Sequence, residues 1–144
     1  MKLIVVGVDG SPAATAAARE AVDLADKTGA SVLFVAAYAP LSFYGEPYFP
    51  ANLSDELHAA RDAADAALAI ADEADVPVEA EVLEGHAAAE ILHVAEIREA
   101  DLIVVGSRGL GPISGAFLGS VSRWLLSHAN IPVLVVKDRV RVPA

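Results

Sequence analysis

The sequence predicts an α/β fold: an open, doubly wound sheet of five parallel strands in the order 3-2-1-4-5, with helices on both faces. Three observations carry that prediction. Five short apolar runs recur along the 144 residues. Alanine-rich stretches with helical spacing separate them, and right-handed crossovers between successive parallel strands then leave this strand order as the simplest one.

The first run, LIVVGV at residues 3–8, is continuously apolar and reads as a strand covered on both faces. Asp9-Gly10-Ser11 ends it. Ser11 is a good N-cap and Pro12 suits the first helical position, and Ala14, Ala17, Ala18, Ala21 and Leu24 then share one face. Their small side chains imply close packing on the sheet. The second run is SVLFVAA, 31–37. Tyr38 to Leu53 follows, rich in tyrosine, phenylalanine and proline, and reads as a connection pinned by aromatics or as a lid or partner contact.

A second helix is expected from about Ser54 to Ala74, with Leu57, Ala60, Ala64, Leu68 and Ala71 inward. The run Asp72, Glu73, Asp75 reads as its solvated end. VPVEAEVL, 76–83, alternates and so belongs nearer a sheet edge. Ala88, Ile91, Leu92 and Ala95 mark a third helix, and DLIVVG, 101–106, a fourth strand covered on both faces. Val121, Trp124, Leu125 and His128 mark a fourth helix, and PVLVV, 132–136, a last strand, also read as covered on both faces. No repeat or linker interrupts the series, so residues 1–144 are expected to form a single domain.

Hydrophobic residues make up 55% of the chain and charged residues 21%, the balance of a globular protein. A formal net charge of −10 opposes nucleic acid and anionic lipid at long range, so neither is expected as a partner. No stretch approaches the roughly 20 apolar residues of a membrane span. The opening MKLIVVGVDG stops at Asp9-Gly10 with no cleavage-like site and reads as strand, not leader. Cysteine is absent, which removes disulfides and thiolate metal sites and fits a cytoplasmic location.

Sheets of this order take ligands beyond the carboxyl ends of the strands where the order reverses, here between the first and fourth. Asp9-Gly10-Ser11 leaves the first strand there, and GSRGLGPISGAFLGSVS, Gly106 to Ser122, leaves the fourth. In that loop Gly106, Gly109 and Gly119 stand at the spacing G-x2-G-x9-G, followed at once by Ser120. Gly119 and Ser120 would open a helix whose free N–H groups and dipole attract phosphate oxygens. Hydroxyls of Ser120 and Ser122 and the Arg108 guanidinium are further candidate donors. Neither GxxxxGK[ST] nor GxGxxG is present. Glycine content alone leaves a structural loop and a phosphate cradle equally open.

Asp9, at a strand's carboxyl end, suits a pair of sugar hydroxyls or a plain turn. His58, His86, His93 and His128 have no metal-ligand spacing and read as helix-face residues, with His86 at the ligand-binding end. No GxSxG elbow or other catalytic set is found. The last strand is apolar for a sheet edge, which invites pairing with a second chain.

The run ADLIVVGSRGLGPISGAFLGSVSRWLLSHANIPVLVV closely resembles the carboxyl-terminal half of universal stress proteins, with their G-x2-G-x9-G-[ST] loop. Val8-Asp9-Gly10-Ser11 before an alanine-rich helix, and GHAAAEILHVAEIREADLIVVG, are similar to the same family, so nearly the whole chain is covered. The resemblance implies a Rossmann-like domain of the ATP-binding branch, acting as a nucleotide-responsive stress module. By that resemblance Gly106, Gly109, Gly119 and Ser120 surround the triphosphate with Ser107, Arg108 and Val121 close by. Val8 and Ser11 also belong to the ATP site, Asp9 bonds the ribose hydroxyls, and Ala36 and Ala37 lie against adenine. It also implies a homodimer through the last strand, about Pro132 to Val136.

Two departures stand out. No basic residue occurs between Ser114 and Leu118, and Gly85-His86-Ala87-Ala88 replaces the frequent Gly-x-Pro-Ala. Charge compensation then falls on backbone donors, Arg108 and a Mg2+ ion carried by the nucleotide, with no side-chain metal site. Two other readings stay open: a scaffold of the same fold that takes cyclic AMP, AMP or no nucleotide, and an adenylyl-transferring or slowly ATP-hydrolysing enzyme of the adenine nucleotide α-hydrolase-like fold.

Overall fold

Each apolar run forms a strand and each alanine-rich stretch a helix in the computed structural model, which describes residues 1–39, 50–109 and 118–138. The order is β1 (Leu3–Gly7), α1 (Pro12–Thr28), β2 (Ser31–Tyr38), α2 (Pro50–Ala71), β3 (Val78–Glu84), α3 (Ala87–Ile97), β4 (Leu102–Gly106), α4 (Ser120–His128) and β5 (Val133–Val136). The strands form one parallel sheet ordered β3-β2-β1-β4-β5. Val5 stands beside Leu33 on one side and Ile103 on the other.

Because side chains alternate along a strand, each central strand feeds two cores. Ile4, Val6, Phe34 and Val104 pack against the alanines of α1 and α2. Val5, Leu33, Val35 and Ile103 meet Ile91, Leu92 and Ala95 of α3 and Leu125 of α4 on the opposite face. Leu125 is fully buried, which stabilises the fold by about 1.5–3 kcal/mol relative to exposure. Ala17, Ala18 and Ala21 are fully buried as well, and their size lets α1 lie directly on the sheet.

The ends of α1 are closed by side chain and backbone. Ser11 Oγ accepts the Ala14 N–H at 3.2 Å. At the other end Gly29 adopts φ 78°, a left-handed cap, and donates its N–H to the Ala25 carbonyl at 2.9 Å.

Three details differ from the sequence reading. α2 starts at Pro50, one turn before Ser54, and ends at Ala71; a first-turn position tolerates proline because its N–H is unused there. Ala60, Ala63, Ala64, Ala67 and Ala71 carry its contact with the sheet, while Leu57 and Leu68 are half-buried. β5 is half-buried along its whole length, not covered on both faces, because it lies at the sheet's edge with β4 as its neighbour. His128 is an exposed residue of α4: its ring stacks on Trp124 with centroids 4.1 Å apart, and Nδ1 lies 2.8 Å from the Trp124 carbonyl oxygen. Most of the Tyr38 to Leu53 segment, and with it the lid reading, falls outside the described residues.

The opposite edge, β3, is charged. Glu79 and Glu81 point to the α3 side, where Arg98 reaches both at 3.1 and 3.3 Å. Each such exposed pair contributes about 0–1 kcal/mol. At the amino end of β4, the Asp101 carboxylate accepts the N–H groups of Lys2 at 2.6 Å and Leu3 at 3.0 Å. Those two hydrogen bonds hold its pKa below the ordinary carboxylate value. Among the described residues no helix is long and apolar enough to cross a membrane.

Candidate functional site

At the carboxyl ends of β1, β2 and β4 the two loops named above meet. Val8 continues the β1 pairing by donating its N–H to the Val35 carbonyl at 3.0 Å. The chain then turns at Gly10, φ 83°, a value L side chains rarely take. Asp9 Oδ1 accepts the Ser11 N–H at 2.9 Å, a local turn that fixes the exposed carboxylate at the mouth of the crevice. Ser11 itself is fully buried, and its hydroxyl lies 3.4 Å from the Arg108 carbonyl, joining the turn to the loop after β4.

The glycines of that loop answer to close approach. A Cβ on Gly106 would lie 2.7 Å from the Ala13 carbonyl carbon and 2.8 Å from the Ala14 nitrogen, so β4 ends directly against the first turn of α1. Ser107 follows, buried: its N–H donates to the Val136 carbonyl at 2.8 Å and its carbonyl accepts the Gly119 N–H at 2.6 Å. The departing and returning ends of the loop are thereby joined. Gly119 is the N-cap of α4 with no side-chain cap hydrogen bond, and a Cβ there would crowd Arg108 Cα at 3.2 Å and the Ser107 carbonyl oxygen at 3.3 Å.

Between these loops and α3 lies a cleft of about 280 Å³. Its inner end is apolar, formed by Gly7, Val35, Ala37, Ala87, Ile91 and Val105. Its outer end carries Asp9, Arg108, Gly109, Gly119, Ser120 and Val121. A ligand with a flat apolar part and an anionic part matches that division, because the first turn of a helix offers N–H donors and a positive dipole end.

Of the residues singled out from the sequence, Val8, Asp9, Ala37, Gly106, Arg108, Gly109, Gly119, Ser120 and Val121 line the cleft. Ser11, Ala36 and Ser107 do not. Ser11 and Ser107 stand behind the wall and hold the two loops together. Ala36 faces the other side of the sheet, in the core under α1 and α2. Ser122 does not line the cleft either: it is buried, and its hydroxyl donates to the Ser107 carbonyl at 3.3 Å and the Gly119 carbonyl at 3.1 Å. His86 is the exposed N-cap of α3, next to Ala87 of the lining.

Sequence reasoning passed over Gly7, Ala14, Val35, Ala87, Ile91 and Val105. For the strand residues a usable signal was the two-residue alternation. Gly7 and Asp9 share the phase of Val5, and Val35 and Ala37 that of Leu33, so Ala37 and not its neighbour belongs to the cleft face.

The fold and the cleft place the chain in the class of open doubly wound α/β domains, whose ligand crevice lies beyond the strand ends where the order reverses. The family model described as "Universal stress protein family" matches residues 1–137, and the chain belongs to that family. It is 41% identical over 138 residues to a universal stress protein of Thermus aquaticus, covering 94% of this chain and 98% of that one. Among solved structures it is similar to a universal stress protein in complex with cAMP, at 30% identity and TM-score 0.70 over 96% of this chain and 98% of that one. It is also similar to the Archaeoglobus fulgidus universal stress protein in complex with dAMP, at 25% identity and TM-score 0.72 over 95% and 98% of the two chains.

Proposed function

We propose that the chain binds an adenine nucleotide in this cleft, with ATP as the ligand its loop is built for, and works as a nucleotide-responsive module. The observation that carries the reading is the position of the first turn of α4. Gly119, Ser120 and Val121 line the same cleft as Asp9 and Gly109, and that cleft continues inward to an apolar floor. The floor would take the base, the Asp9 carboxylate the ribose hydroxyls, and the α4 amides with Arg108 the phosphates. One helix dipole supplies only about 0.3–1 kcal/mol, so several donors must converge. Any Mg2+ ion would arrive on the nucleotide.

A second reading, AMP or cyclic AMP, draws support from the two relatives solved with cAMP and dAMP. The position of Arg123 also favours it, because its guanidinium is directed to the Leu118 carbonyl at 3.3 Å. A ligand with fewer phosphates asks less of Arg108. A slowly ATP-hydrolysing or adenylyl-transferring enzyme of the same fold is the remaining alternative.

The half-buried apolar β5 edge supports a homodimer through Pro132 to Val136, formed about a two-fold axis. A cysteine-free chain suits a cytoplasmic setting.

Calorimetric titration with ATP, ADP, AMP and cyclic AMP, with and without Mg2+, on wild type and Gly119→Val tests the reading. ATP is expected to bind the wild type and not the variant. No heat with any of these nucleotides at millimolar concentration sinks the proposal, and a valine variant that binds normally removes the phosphate role of α4. Phosphate release above a no-protein control would favour the enzymatic alternative.

A further inference from the structure

Gly7 is not among the described glycines with positive φ, which are Gly10, Gly29 and Gly85. Its missing side chain therefore answers to space. A Cβ built there would fall on Ile91 Cδ1, with Ile91 Cγ1 at 3.4 Å and Val105 Cγ1 at 3.2 Å. Ile91 is 3% exposed and Gly7 is buried, yet both line the apolar end of the cleft. The tip of Ile91 thus occupies the hollow over β1 that the glycine leaves, and α3 closes down onto the sheet by that amount.

The geometry points to Gly7 and Ile91 as a matched pair that sets the depth of the cleft's apolar end, and through it which ring substituents a bound nucleotide can carry. The inference rests on the nucleotide-binding reading above and adds a selectivity determinant to it. Interiors are close-packed, so a methyl group gained on one wall must be lost from the other or displace the ligand. Gly7→Ala puts a methyl where Cδ1 sits and lifts Ile91 into the cleft. Ile91→Val removes Cδ1 itself and deepens the floor. Together the two substitutions move one carbon from α3 to β1 and leave the floor near its original height.

The test measures binding of AMP and of its 2-methyl, 8-methyl and N6-methyl derivatives by calorimetry to wild type, Gly7→Ala, Ile91→Val and the double variant, with urea unfolding of each alongside. Gly7→Ala is expected to weaken AMP about ten-fold, and the double variant to return to within about three-fold of wild type. Ile91→Val is expected to raise the affinity of at least one methyl derivative relative to AMP by about three- to ten-fold, at or below the low end of what one methylene contributes in an apolar pocket. If Gly7→Ala does not fold, the Ile91→Val ratios decide. Unchanged ratios in Ile91→Val overturn the inference, as does a double variant as weak as folded Gly7→Ala. In both cases wild-type binding leaves the nucleotide reading standing. A wild type that binds none of the four ligands, nor ATP, overturns that reading and this inference with it.

Discussion

Gly109 faces Asp9 so closely that a Cβ on the glycine would lie 2.8 Å from Asp9 Oδ2. The other carboxylate oxygen already accepts the Ser11 N–H at 2.9 Å, so the group sits between two loops and cannot swing away without releasing its own turn. Gly109→Ala should displace the carboxylate and weaken nucleotide binding about ten-fold, or about 1.4 kcal/mol. Both residues are exposed, so unfolding free energy should change by less than about 1 kcal/mol. Paired calorimetry and urea unfolding separate the two effects, and equal binding by the variant would detach Asp9 from the ligand.

Gly106→Ala should do the reverse. Its Cβ would meet the backbone of Ala13 and Ala14 at 2.7–2.8 Å, and helix backbone cannot give way as a side-chain tip can. Overpacking of this kind costs about 1–3 kcal/mol. The expected result is a lower urea midpoint with or without nucleotide, and an unchanged midpoint would disprove the close approach of β4 to α1.

Ser11→Ala removes an N-cap and the hydroxyl that reaches the Arg108 carbonyl. Loss of a cap alone costs about 0.5–2 kcal/mol. Ser11→Thr, which keeps the hydroxyl, should recover most of the cap. Thermal unfolding of the two variants makes the comparison, and equal loss in both would assign the effect to packing.

The pKa of Asp101 is lowered from 3.8 by the amides of Lys2 and Leu3. A carboxyl whose folded pKa is depressed adds stability that is fully present above its unfolded pKa and is lost as pH falls through the folded one. Asp101→Asn keeps oxygen acceptance but cannot titrate. The wild-type advantage in melting temperature should hold at neutral pH and shrink below pH 3.8. A difference independent of pH would show that the charge plays no part.

The strand order could be read from the sequence because only a sheet flanked on both faces accommodates runs as apolar as LIVVGV and DLIVVG between alanine-rich helices. The crevice could be read too, since strand order alone fixes where the fold reverses. What stayed hidden was direction at the level of single side chains. Ser122 and Ser120 look alike in the sequence, yet two places along a helix separate a buried strut from an exposed lining residue. Gly106 lines the cleft, but nothing in its sequence spacing shows that a Cβ there would run into the backbone of α1. The half-buried state of β5 follows from its place at the edge, which the strand order already implied, although its continuous apolar run by itself reads as covered on both faces.

The charges on β3 bear on how many copies can gather. Glu79, Glu81 and Glu84 lie along one rim of the sheet, whereas the opposite rim is Val133 to Val136. Acidic side chains on a rim oppose the approach of another strand, so the sheet has a single adhesive side. A homodimer formed through β5, as proposed above, would use up both such sides. Association through strand edges would then terminate at a pair, with no edge left to grow a fibre.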